Sequence, residues 1–357
     1  MPKVLLKDVV ARIKDKVDKD NTDLKYYIGG EHFDSGEIQI TKKGIIKEST
    51  IGPAFHMRFQ PGDVLLMSRN PHLRKAGIVD FEGICSDVSY VCRTKDENVL
   101  MQRFIPFIFQ TDHFWKFAEE NKKGSTNFFL NWSDFEKYEF ELPQIDEQKK
   151  LCEMMWAFED TKSAYKDLLL QTDELVKSQF IEMFDGKGYS VVNASLFMTN
   201  MRNGLSPSKK GTYYEKVLTL SAITQGGFDP EAWKDGVFDD CPPEDKRIRA
   251  FEFYMCRGNG NRTLVGTAVY TEENYPDLVF PDTVIAAHID TEKVLLPYLH
   301  IAWKMPAIRE QIEENARTTN GTYKINQKVI AGIEIILPSI EKQKEFVTLV
   351  EQSDKSK

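Results

Sequence analysis

Long apolar runs are missing from this 357-residue sequence. No stretch approaches the ~20 residues that a helix needs to cross a bilayer. The opening MPKVLLKDVVARIKDK has no signal-peptide core, so neither a membrane protein nor an exported one is expected. Cysteine is scarce: Cys85, Cys92, Cys152, Cys241 and Cys256 are odd in number and form no C-x-x-C pair. Buried thiols in a reduced, cytoplasmic setting are the simplest reading. The six histidines fall into no H-x3-H or H-E-x-x-H spacing, which argues against zinc.

Catalytic motifs are lacking too. NPHL (70–73) has neither the second proline nor the aromatic of the N-P-P-[YF] box of amino-methyltransferases. GNGNRTLVG (258–266) shows neither G-x-G-x-x-G spacing nor a G-K-[ST] ending. The acids around CPPEDK (Asp239, Asp240, Glu244, Asp245) read as an exposed turn rather than a nuclease centre. No catalytic residue, bound cofactor or metal is therefore assigned to this chain.

What is present is a repeat. ELPQIDEQKKLCEMM (141–155) returns as ILPSIEKQKEFVTLV (336–350), with Leu-Pro, Ile, an acid and Gln-Lys in register 195 positions apart. Upstream, NFFLNWSDFEKYEFELP aligns with TYKINQKVIAGIEIILP and brings Asn131 onto Asn326. Further upstream at the same offset Phe104, Ile108 and Phe117 meet Leu299, Trp303 and Ile312, a spacing that predicts one apolar helical face. With a small shift, RNPHLR (69–74) pairs with RGNGNR (257–262), each an Arg-x4-Arg loop between strand-like segments. Each copy reads as short strands and loops, then helix, a last strand and a proline corner.

After the first corner the pattern predicts a long helix. Leu151, Met154, Phe158, Thr161, Tyr165, Leu168, Thr172, Leu175 and Gln179 alternate in steps of three and four, a heptad-like seam softened by its polar members. Proline at the corner suits helix entry, and DGKG (185–188) supplies the stop. The net charge of -8 is uneven: residues 144–185 carry ten acids and five lysines, leaving -3 for the rest. Binding responds to local potential, so the acidic total does not exclude nucleic acid.

Recognition domain, LP-x-I/L-x-x-Q corner, long helix ending KSQFIEMF, and then the cycle again: this arrangement resembles the specificity subunit of type I restriction–modification enzymes over essentially the whole chain. YYIGGEHFDSGEI (26–38) is similar to the opening of many such recognition domains. The resemblance implies an α+β fold with two pseudo-repeated target-recognition domains, at 1–142 and 188–337, separated by a coiled-coil spacer helix at 143–187. The second helix, 338–357, is shorter than the family pattern and leaves part of the seam open to self-association. It also implies a non-catalytic subunit that reads a bipartite site in double-stranded DNA, one domain per half. Two modification subunits would bring S-adenosylmethionine, and motor-nuclease restriction subunits would bring ATP and Mg.

Within that frame the candidate DNA-contacting residues of the first copy are Arg69, Asn70, His72, Arg74 and Lys75; the second loop supplies Arg257, Asn259, Asn261 and Arg262. Arginine forks onto guanine and asparagine onto adenine, whereas lysine neutralises phosphate. A second patch joins Lys122, Lys123, Ser125 and Thr126 with Arg317, Asn320 and Thr322. Plain solvated turns, which Gly and Asn favour, are the competing reading. The isolated pairs Lys42–Lys43 and Lys209–Lys210 read as surface charge. Partner docking and coiled-coil pairing fall to Leu151, Met154, Phe158, Tyr165, Leu168, Leu175 and Phe180, with Phe346 and Val350 covering the near end of the long helix. A coiled-coil assembly protein with paired protein-binding domains is the alternative function.

Overall fold

The structure is a computed structural model that describes residues 2–208, 210–319 and 321–354. Lys209 and Asn320, both named above, lie outside the described residues. The chain forms two compact units, Met1–Ser163 and Ala164–Lys357, and the boundary falls inside one unbroken helix, Ile145–Phe184. Its forty residues contain no Gly or Pro, and it stops just before Gly186 and Gly188, whose φ of 65° and 78° glycine adopts at little cost.

The first unit stacks helices on one sheet and that sheet on another. The first sheet runs Val10–Ile13, Ser89–Thr94, Val64–Met67, Ala76–Ile78, all antiparallel. Its central strand, VLLM, is apolar on both faces because both are covered. Period two does the sorting: Val64 and Leu66 join the helical layer, while Leu65 and Met67 meet the second sheet. That second sheet orders Gly44–Ile45, Tyr26–Ile28, Gly83–Ser86, Phe55–Phe59, with Tyr26–Ile28 and Gly83–Ser86 parallel.

The second unit repeats this plan. Its first sheet runs Met198–Asn203, Val284–Ile289, Glu252–Cys256, Ala268–Thr271. Phe253 and Met255 face the helices; Tyr254 and Cys256 face the other sheet. That sheet orders Trp233–Phe238, Tyr213–Leu218, Tyr275–Val279, Arg247–Ile248, again with one parallel pair. The α+β class and the doubled unit are therefore as expected. Asp63 and Glu252 occupy the same place at the head of the central strand, both nearly fully buried. Arg93 from the neighbouring strand Ser89–Thr94 neutralises the first, and Arg202 from Met198–Asn203, two strands away in its sheet, grips the second with two 2.7 Å bonds. The acid is kept while its partner has changed strands.

The proline corners have a physical function. In each unit an antiparallel pair joins the chain's entry to its last strand: Lys3–Leu5 with Glu139–Glu141, and Ser190–Asn193 with Glu334–Leu337. One turn into the following helix sits a glutamine with no exposed surface. Gln148 accepts from Met101 N (3.0 Å) and donates to the carbonyls of Val99 (2.8 Å) and Pro143 (2.9 Å). Gln343 does the same with Leu295 N (2.8 Å), Lys293 O (3.1 Å) and Pro338 O (2.9 Å). A buried amide that satisfies one donor and two acceptors pins helix, corner and preceding loop together. This is why the phrase recurs.

Two local expectations need correction. The predicted single apolar helix is in each unit a pair, Ile105–Phe109 with Asp112–Glu120, and Leu296–Trp303 with Pro306–Asn315. Thr111 caps the second helix of the first pair by accepting from Phe114 N, and Pro306 starts the corresponding helix, so both break a continuous ladder. Thiols are buried at Cys85, Cys92, Cys152 and Cys256, where burial pushes them above their ordinary range, but Cys241 is exposed. It sits in the CPPEDK loop, where Arg247 Nη2 lies 4.0 Å from its Sγ.

Candidate nucleic-acid interface

In the first unit the loop after the central strand is tied to the segment before the last helix. Asn70 N donates to Phe128 O (2.8 Å) and Leu130 N to Ser68 O (2.9 Å), while Arg69 and Lys123 each form a bridge with Phe129. The two patches read from sequence are thus one surface. Asn70 and Arg74 hold φ of 52° and 48° on either side of the turn Pro71–Leu73. Non-glycine residues there cost about 1–2 kcal/mol each, and strain of this kind concentrates where a loop presents side chains.

Not every candidate on this surface is free. Arg69, His72, Ser125 and Thr126 are exposed, and none makes a side-chain bond within the described residues. Arg74 instead reaches Asp112 (2.6 Å), and half-buried Lys75 donates to Gly30 O (2.6 Å), which fixes the opening loop. Lys122 pairs with Glu119 (2.6 Å) and lies over the Phe128 ring at 4.2 Å. Lys123 pairs with Asp134 (2.7 Å), and its hydrogen bond holds that carboxyl below the usual range.

The second unit builds the same surface with different residues. Gly258–Asn259 pairs with Thr322–Lys324, which pairs with Arg317–Thr319, a three-stranded ribbon. A Cβ on Gly258 would come within 3.1 Å of Lys324 Cγ, so a small residue lets that lysine stem lie against the loop. Arg262 donates to Glu313 O at the end of its helix (2.6 Å), and Arg257 donates to Asp282 O (3.1 Å). Asn259 accepts from Asn261 N, Asn261 caps Thr263 N, and Thr322 is half-buried within the ribbon. Arg317 is exposed and has no partner among the described residues.

The loops correspond, but their arginines do not. Ser68 N donates to Val88 O as Arg257 N donates to Thr283 O, which sets Arg257 against Ser68. At the far end Met67 N meets Lys75 O as Cys256 N meets Thr267 O, which sets Arg74 against Gly266, both left-handed. Three extra residues in the second loop produced the apparent Arg-x4-Arg match.

Along the long helix Met154 and Phe158 are 64% and 68% exposed, and Tyr165, Leu168 and Leu175 are also open to solvent. Leu151 packs half-buried on the first unit's core. Phe180, Phe346 and Val350 are buried in the second unit, with the Phe180 and Phe346 rings 5.6 Å apart, so these three pair the two helices within this chain. Among the described residues no group of three or more metal-ligating side chains occurs, and no helix is long and apolar enough to cross a membrane.

Residues 3–171 match the family model of the type I restriction modification DNA specificity domain. The first half of this chain is similar to a type I DNA specificity domain. The specificity subunit of the EcoDI type I restriction enzyme from Escherichia coli is 22% identical over 184 residues; the match takes in 50% of this chain and only 40% of that protein's length. The type I S subunit from M. genitalium is 12% identical and superposes with a TM-score of 0.56, covering 99% of this chain and 89% of that one. The HsdS subunit from Thermoanaerobacter tengcongensis is 14% identical, with a TM-score of 0.39 over 99% of this chain and 89% of its own. The specificity domain is thus matched by sequence, and the M. genitalium likeness extends the fold of an S subunit through the second unit.

Sequence reasoning missed the glutamines as clamps and missed Lys324 and Lys328 beside the second ribbon. The glutamines were legible as an identity held at one offset. The two lysines gave no signal, because the first copy has Phe129 and Ser133 in their places.

Proposed function

We propose that this chain is the DNA sequence-recognition subunit of a type I restriction–modification complex, with one unit reading each half of a split target. The observation that carries it is the doubled unit, a match to the type I specificity domain over residues 3–171 and the same topology again after the long helix, with a loop and its facing segment forming an exposed polar surface in each. Good bidentate base contacts discriminate by about 1–3 kcal/mol each, and linking two readers raises the local concentration of the second. Forty helical residues measure roughly 60 Å, so the helix acts as a spacer on the scale of a ~34 Å DNA turn.

The uncovered residues Met154, Phe158, Tyr165 and Leu168 are the docking surface for two modification subunits, which carry S-adenosylmethionine; restriction subunits using ATP and Mg complete a cutting complex. Methylation and cleavage belong to those partners, and this chain is non-catalytic. Exchange of residues 69–75 for the corresponding loop of another specificity subunit tests the division of labour. The methylated sequence should change in one half only. A change in both halves, or in neither, counts against it.

A further inference from the structure

The second unit contains an open cavity of about 360 Å³ between the helix Pro306–Asn315, the ribbon and the short helix Gln327–Ala331. Arg317, Lys324 and Lys328 line it, and no Asp or Glu does among the described residues. Among the described residues none of the three cations makes an ion pair or a side-chain hydrogen bond. The neutral amides around them are already engaged. Gln311 spans Ala307 O and Glu334, Asn315 donates to Gln311 O, and the Asn326 side chain accepts from Val329 N. Three unneutralised positive charges around one concavity focus the field on it and leave its charge for a ligand to complete.

The first unit has no equivalent. Where the second has Arg317, Lys324 and Lys328, the first has Lys122, Phe129 and Ser133, and Lys122 is neutralised by Glu119. Lys123 and Lys137 share Asp134, whose counterpart in the second unit is Val329. The cations Lys122, Lys123 and Lys137 of the first copy are internally balanced, and Arg317, Lys324 and Lys328 of the second are not.

We propose that this cavity binds a phosphate of the DNA backbone and anchors the second unit on the duplex independently of sequence. The proposal rests on the DNA-reading function above and adds an asymmetry: one unit is held mainly by phosphate, the other by its loop. Backbone contacts of this kind set register without carrying sequence information.

The test is lysine footprinting of the full chain with an amine-acetylating reagent, read by mass spectrometry. It is done alone, with a mixed-sequence DNA duplex, and with inorganic phosphate at the same phosphate concentration. Lys324 and Lys328 should be protected at least about threefold by the duplex and little by the free ion. Equal protection by inorganic phosphate would make this a free-anion site and overturn the assignment. Protection of first-unit lysines such as Lys123 without Lys324 and Lys328 would refute the cavity and leave DNA reading intact. Absence of any duplex protection would defeat both. As a second readout, the triple variant R317Q/K324Q/K328Q, with all three changes at exposed positions, should give a log affinity against log salt slope shallower by about 1 or more, since each neutralised phosphate contributes ~0.9. An unchanged slope contradicts the proposal.

Discussion

Replacing Gln343 by leucine should loosen the second unit and spare the first. The side chain has no exposed surface and makes three bonds of 2.8–3.1 Å, to Leu295 N and to the carbonyls of Lys293 and Pro338. Leucine has similar bulk, so little cavity forms; the loss is one orphaned N–H and two orphaned carbonyls. Buried groups left unsatisfied cost about 1–3 kcal/mol each, and carbonyls, with two lone pairs, fall at the low end. The expected loss is roughly 3–5 kcal/mol. Because a chain of two units need not unfold in one step, a single midpoint is a poor measure. Hydrogen exchange read by peptide should show core amides of Glu252–Cys256 exchanging faster by two or more orders of magnitude, while Val64–Met67 is unchanged. Gln148→Leu should give the mirror result. A loss below about 1 kcal/mol, or equal loosening of both units, would refute the clamp.

Gln343→Glu keeps the acceptor for Leu295 N but points a carboxylate at two carbonyl oxygens, so its folded pKa should rise above the unfolded ~4.3. Stability should then fall as pH rises through that folded pKa; a stability independent of pH from 4 to 8 would count against the geometry. His300 titrates in the opposite sense, since burial lowers its pKa from 6.5 to about 4 and its Nε2 has no hydrogen-bond partner among the described residues. The second unit should be most stable above pH 6.5 and lose up to about 3 kcal/mol toward pH 4, and His300→Gln should flatten that slope in urea titrations. Leu168→Asp, at a position 42% exposed, should leave circular dichroism unchanged and abolish co-purification with modification subunits; retained assembly moves the docking surface elsewhere. Removing seven residues within 151–179 should shorten the gap between methylated half-sites, and an unchanged gap would show that the helix sets no spacing.

The architecture was legible wherever apolar period and punctuation agreed. The long helix lacks Gly and Pro and ends at DGKG, and its bounds follow from that. The repeat survived in the corner because Gln148 and Gln343 have no substitute that serves three backbone groups at once. The loops were less legible, since their backbone is set by bonds to distant segments such as Phe128 and Thr283. An insertion there shifts arginines without disturbing the strands, which is how Arg74 came to be set against Arg262 when its structural counterpart is Gly266. Charge pairing was hidden for the same reason: Lys123 and Asp134, or Arg74 and Asp112, meet only through the fold.

The most direct test of sequence reading is single-molecule mapping of methylated bases in host DNA with and without this gene. A split motif, two short defined halves around a fixed unread gap, should be present with the gene and vanish without it. A methylation pattern unaffected by the deletion, or one continuous motif lost with it, would contradict a pair of linked readers.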